Sequence, residues 1–269
     1  MALQSSGQIS LNDIHVEAGG SSGSQAAIND SDIRDLAGKS SGSQMAFSEW
    51  YGATAANTTA TRVGGGSTTT NQFPNANATL STGNKLVVVV VLLRVQSGSA
   101  ISNGPATVTV GGQSATLRAI INRNVSSLSY GHINSIWTLE TTLSGTQFVT
   151  GSGTATTGNN SCHIYEVTGH TSATPHSVAV TSNYTGSAST TDTIALSQVN
   201  GGSAIFGVTA SGFGGSTLSS SPSTTVLNHT FSNLNHAGAH KDNTTAGTTA
   251  YTWTNNQSGY FNIVAASFK

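Results

Sequence analysis

The chain has 269 residues, of which 7% are charged and 36% hydrophobic, and its formal net charge is -1. An ordinary soluble domain carries about 25% charged residues; here Ser, Thr, Asn and Gly stand in their place, and those residues suit strands and turns. The near-zero balance excludes an electrostatic case for nucleic acid or a charged membrane surface, and Cys162, the single cysteine, excludes an intrachain disulfide.

The opening MALQSSGQIS lacks the basic and apolar stretches of a secretory signal. Three imperfect units follow: SSGQISLNDIHVEAGG (5–20), SGSQAAINDSDIRDLAGK (22–39) and SGSQMAFSEWYG (41–52). Each contains a helix-start signal, with Asn12, Asp30 or Ser31, and Ser48 as N-caps. Asp13, Asp32 and Glu49 come next, where the helix dipole favours an acid. Gly19, Gly38 and Gly52 occupy left-handed stop positions. These one- or two-turn helices are too short to be stable alone. Ile9, Leu11, Ile14, Ile28, Ile33, Leu36, Phe47, Trp50 and Tyr51 therefore need a surface, and they are read as residues that dock on a partner. The alternative is that the segment caps the open end of its own sandwich. Residues 1–52 hold six acids against two bases, a balance of -4, and the rest hold four against seven, a balance of +3.

Residues 53–83 read as a linker or lead-in strand, because Gly64-Gly65-Gly66 opposes a rigid element. Strand signals then recur at 85–95, 106–110, 115–122, 131–140, 146–150, 161–167, 177–182, 191–196, 203–210, 248–254 and 260–268. The run LVVVVVLL (86–93) is far shorter than the roughly 20 residues that span a bilayer as a helix, so no membrane insertion is expected. It suits a strand buried on both faces. Val110-Gly111-Gly112-Gln113 is a hairpin turn. The expectation is an all-β fold, a jelly-roll-like β-sandwich over 84–269 preceded by short helical turns, with a long loop over 212–246.

Signals for chemistry are weak. Gly19-Gly20-Ser21-Ser22-Gly23 matches G-x-S-x-G but lacks the strand before and the long helix after that a nucleophile elbow requires. Glu140 and Glu166, on separate predicted strands, are the only carboxylates that invite a glycosidase reading, and a solvated or hydrogen-bonded role suits them better. His229, His236 and His240 precede Asp242, but Gly238 and the Asn-rich context favour a loop of exposed histidines over a metal site. His163 and Cys162 are neighbours on one strand and point to opposite faces. No catalytic residue, metal or cofactor is assigned, and the chain is not read as an enzyme. Tyr251 and Trp253 alternate as core residues do, which leaves Tyr184 and Phe213, in predicted loops, as candidate glycan contacts.

Residues 3–53, through SSGQISLNDIHVEAGG, INDSDIRDLAGKSSG and MAFSEWYGA, resemble an N-terminal pattern of virion structural proteins of tailed bacteriophages, particularly those of marine cyanobacteria. The resemblance implies a structural protein of the virion, assembled in the host cytoplasm. Its N-terminal segment would dock on other virion proteins while the sandwich projects, as a tail fibre or a tail or baseplate component. A homo-oligomer follows, a trimer if a fibre. Capsid decoration or a head fibre is one alternative, and a carbohydrate-binding module that recognises a host surface glycan is another. Members of the family share no single catalytic site.

Overall fold

Burial of one strand on both faces organises the β region. The computed structural model describes residues 3–18, 22–37, 39, 43–52, 57–70, 72–96, 105–124, 130–152, 158–183, 188–211, 217–231 and 234–269. The first strands are β1 (Thr59–Thr68), β2 (Ala76–Leu80), β3 (Lys85–Gln96), β4 (Thr107–Val110), β5 (Gln113–Ser114), β6 (Thr116–Asn124), β7 (Tyr130–Thr141), β8 (Gly145–Ser152) and β9 (Asn160–Thr168). They form one antiparallel sheet in the order β5-β4-β8-β2-β1-β9-β3-β7-β6. The sheet folds over itself. Val87, Val89 and Val91 of β3, with Trp137 of β7 and Ile164 of β9, pack against Ala78 of β2, Val110 of β4 and Val149 of β8. The alternate residues of β3 (Leu86, Val88, Val90 and Leu92) are equally buried, but in a second cluster that includes Ile205, Val264, Ala266 and Phe268.

Those four belong to a second set of strands: β10 (Ser177–Ser182), β11 (Ser189–Gln198), β12 (Ser203–Ser211), β13 (Leu218–Ser221), β14 (Thr225–Phe231), β15 (Leu234–Lys241) and β16 (Gly247–Phe268). The first half of β16 pairs with β11 and β13, and its second half pairs with β10 and β12. Phe206, Tyr251, Trp253, Phe261 and Ile263 fill the space between the two halves.

The second set repeats the first. β1, β2, β3, β4, β6 and β7 correspond to β10, β11, β12, β13, β14 and β15, and β8 and β9 correspond to the halves of β16. The ladders β1–β9, β2–β8, β3–β9, β3–β7, β6–β7 and β4–β8 each have an antiparallel counterpart in the second set. Leu92 lies between Asn134 and Ser161, and Thr209 lies between His236 and Asn262. Setting Leu92 and Thr209 as sister residues makes sisters of Asn134 and His236, and of Ser161 and Asn262. The hydrogen bonds across the seam follow this relation. Asn134 donates to the Asn262 carbonyl, while its sister His236 shares a 2.8 Å bond with Ser161, the sister of Asn262. Such reciprocity is the mark of a two-fold interface; here both partners lie in one chain.

The expected all-β sandwich is present, and it is doubled. Of the two readings of 53–83, linker or lead-in strand, the structure has strand there, with β1 and β2 ladder-paired, because the glycines allow close approach. A Cβ added to Gly64 would stand 2.3 Å from the Asn77 carbonyl oxygen. The stretch 212–246 is not one long loop, since β13, β14 and β15 occupy most of its described residues. Replacing Gly64→Ala should therefore lower stability by roughly 1–3 kcal/mol through overpacking. Urea unfolding followed by far-UV circular dichroism measures this, and an unchanged midpoint would mean that the glycines act as a free linker.

Candidate functional site

The N-terminal segment forms a small module around α1 (Leu11–Glu17), α2 (Ser31–Leu36) and a 3-10 turn at Phe47–Trp50. One device recurs in its three units. A carboxylate accepts the backbone N–H three residues before it: Asp13 from Ser10 at 2.9 Å, Asp30 from Ala27 at 2.7 Å and Glu49 from Ala46 at 2.9 Å. In the first and third units the bond ties down the N-cap amide of a helical turn, and in the second it closes the turn just before α2. Ser10 and Ala46, rather than Asn12 and Ser48, hold the N-cap positions. The Asp30 carbonyl accepts the Arg34 N–H at 3.0 Å, as an N-cap does. Gly52, with φ of 71°, follows the third unit, whereas Gly19 and Gly38 lie outside the described residues.

The module has its own core, which corrects the expectation that all nine of its large apolar residues await a partner. Ile14, Ile33 and Trp50 are fully enclosed, and Ile9 nearly so, by Leu3, Leu11, Leu36 and Met45 of the same segment. Trp50 Nε1 donates to the Ile33 carbonyl at 2.9 Å, Lys39 and Glu49 form a 2.6 Å ion pair, and the Gly52 N–H reaches the Gln4 carbonyl at 3.1 Å. Three turns too short to persist singly thus bury one another's side chains. Exposed are Ile28 (39%), Phe47 (45%) and Tyr51 (37%), with Leu11 and Leu36 half-buried. Leu11, Ile28 and Phe47 each directly follow the residue whose amide is tied. Leu3, Ile9 and Val16, with Asp13 and Glu17, line a groove of about 420 Å³. The module lies at the end of the sandwiches where Glu17 faces Lys269.

The candidates for catalysis do not converge. Glu140 is level with Leu86 on β3 and Glu166 with Val87, so their side chains leave opposite faces of the sheet. Glu166 accepts from the Ser81 N–H and hydroxyl, and Glu140 accepts from Asn84 Nδ2 at 2.9 Å. Residues 19–21 of the G-x-S-x-G match lie outside the described residues, as do Tyr184 and Phe213. Tyr251 and Trp253 are buried in the second core. Among the described residues, no three His, Cys, Asp or Glu side chains are arranged to hold a metal ion, and no helix is long and apolar enough to cross a membrane.

The histidines were misread in sequence. His229 lies on β14, His236 and His240 lie on β15, and His236 is fully buried rather than exposed in a loop. It meets His132 and His163, also fully buried, in the seam between the sandwiches. The His163 and His229 rings are 5.0 Å apart, and those of His132 and His236 are 6.4 Å apart. Cys162 points away from the seam into the first core, and burial pushes its thiol up to about 12. Burial holds His132 down at about 3, with Arg94 adding to the effect, and it lowers His163, His236 and His229 as well. Among the described residues, neither ring nitrogen of His163 has a hydrogen-bond partner. A sequence signal existed in NHAGAHK, where small residues alternate with histidine. Bare backbone within a strand marks close approach, and a Cβ on Gly238 would stand 2.2 Å from the His163 ring.

Trp50→Ala should cost about 3–5 kcal/mol, more than so small a core supplies. Hydrogen exchange should then rise throughout residues 3–52 and leave the β strands protected. Phe47→Ala should leave the module as protected as before, and equal loss in both variants would contradict the burial described. Compared with known proteins, the chain matches no family model, no curated protein and no solved structure.

Proposed function

We propose that the chain is a structural protein of a tailed-bacteriophage virion, attached by its N-terminal module and projecting its paired sandwiches. The observation that carries this reading is the module itself, a separate acidic unit with its own core and with Ile28, Phe47 and Tyr51 left uncovered. Its three-part sequence bears the resemblance to virion proteins. The interaction differs in kind from folding upon binding, because the module meets its partner already folded, with an apolar ledge and a negative balance that suits a basic surface.

The direction of projection follows from connectivity. The chain enters the sandwiches at the base, where Thr58 N–H donates to the Gly201 carbonyl at 2.8 Å and Thr171 N–H to the Lys269 carbonyl at 2.7 Å. At the far end lie Gln96, Asn124, Ser152, Ser211 and Phe231, each the last residue of its strand. A fibre or baseplate role gives the far end to the host. Tyr184 and Phe213 lie outside the described residues, and a surface glycan is a further proposed partner class. Mass measurement of the intact oligomer separates a trimeric fibre from a capsid decoration, whose copy number follows the shell.

A chain beginning at Asn57 should fold, because both sandwich cores lie beyond that residue, yet it should fail to join particles when supplied in place of the full protein. Immunoblotting of purified virions reads the outcome, and normal incorporation would overturn the attachment role.

A further inference from the structure

The far half of the seam gathers four histidines. His132 on β7 and His163 on β9 come from the first sandwich, and His229 on β14 and His236 on β15 come from the second. The charged groups that act on them are Arg94 on β3, beside His132 and His236, and Arg62 on β1, beside His163 and His229. No carboxylate stands among these neighbours in the described residues. Neutral contacts accompany them. Thr209 donates to Asn134 at 2.8 Å, and Asn262 donates to the Ile121 carbonyl at 3.4 Å.

Toward the base the chemistry changes. His240 packs its ring 5.6 Å from that of Tyr165 and has Asp242 as a counter-charge. Asp242 accepts from the Ala60 N–H at 2.9 Å and from the Ser203 hydroxyl at 2.6 Å, and so ties the sandwiches together. Each sandwich also keeps an apolar cluster of its own, and no histidine belongs to either.

We propose that the far half of the seam is an acid-operated joint, which splays the two folded sandwiches apart about their base when its histidines take up protons. Closed, the charged groups that act on His163, His229 and His236 among the described residues are two arginines and other histidines. Open, water solvates each ring. The sign follows from linkage. A histidine held neutral in the closed form stabilises that form fully above its free value of about 6.5 and loses this contribution as pH falls below it. At pH 4 each such histidine favours the open form by about 300-fold. The base bonds and the two sandwich cores do not depend on these rings.

The sister relation supplies mild substitutions. The sister of His163 is Val264, that of His236 is Asn134 and that of His229 is Ile121. Small-angle scattering of the full chain from pH 7.5 to pH 4 should show a rise in radius of gyration, while Cys162 stays unreactive to dithiodipyridine and far-UV circular dichroism holds. With two of the four histidines left, in His163→Val/His236→Asn, the midpoint should fall about twice as far below 6.5 as in the parent chain. The single variant His229→Ile should lower it by up to about a third of the parent's own displacement, and it serves if the double variant does not fold. A parent chain that stays compact at pH 4, midpoints unmoved by either variant, or Cys162 exposed together with the expansion would each overturn the proposal.

Discussion

Strand β3 has no outward face, and the rest of the β region depends on that. Its odd-numbered valines fill the first sandwich, and its even-numbered residues need an apolar surface that the first sandwich does not have. β12 and the second half of β16 supply it. At roughly 25 cal/mol per Å² of apolar area removed from water, a face of Leu and Val is costly to leave wet. The same constraint acts on β12, whose nine residues are all buried. A chain almost devoid of charge can afford this arrangement, since few of its side chains resist being placed between sheets.

The polar part of the seam fixes how the halves meet. Apolar surfaces alone tolerate sliding, whereas Asn134, Thr209 and Asn262 accept few alternatives once buried, because an unmade bond there costs about 1–3 kcal/mol. The bonds therefore set register more than they add strength. The histidines have a similar position and weaker partners, which makes them the part of the contact most sensitive to solvent conditions.

Most strands were legible in the sequence because hydrophobic alternation and Gly/Asn punctuation are local signals. The eleven segments predicted from 85 onward each overlap an observed strand. What failed were features that depend on neighbouring strands rather than on the local pattern. Gly64 to Gly66 look unstructured until Asn75, Asn77 and Ala78 are seen against them. LSSS and NHAGAHK look like loop until β12 and β16 lie beside them. The duplication was hidden because its sister residues differ in chemistry, valine matched with histidine and leucine with threonine, and only ladder register relates them. In the N-terminal module the short turns and their acids were readable, but the mutual burial of Ile14, Ile33 and Trp50 was not, since no single unit contains a pair of them.

Gly207 lies directly opposite Val90, so close that an added Cβ would stand 2.5 Å from the valine methyl. One half brings a bump and the other a hollow, at positions that the internal symmetry makes equivalent. Two first sandwiches from separate chains, joined in the same way, would press valine on valine with nowhere for either to go. Two second sandwiches would leave a void at the same spot. At this pair unlike halves fit and like halves would not, so the seam suits one first sandwich against one second.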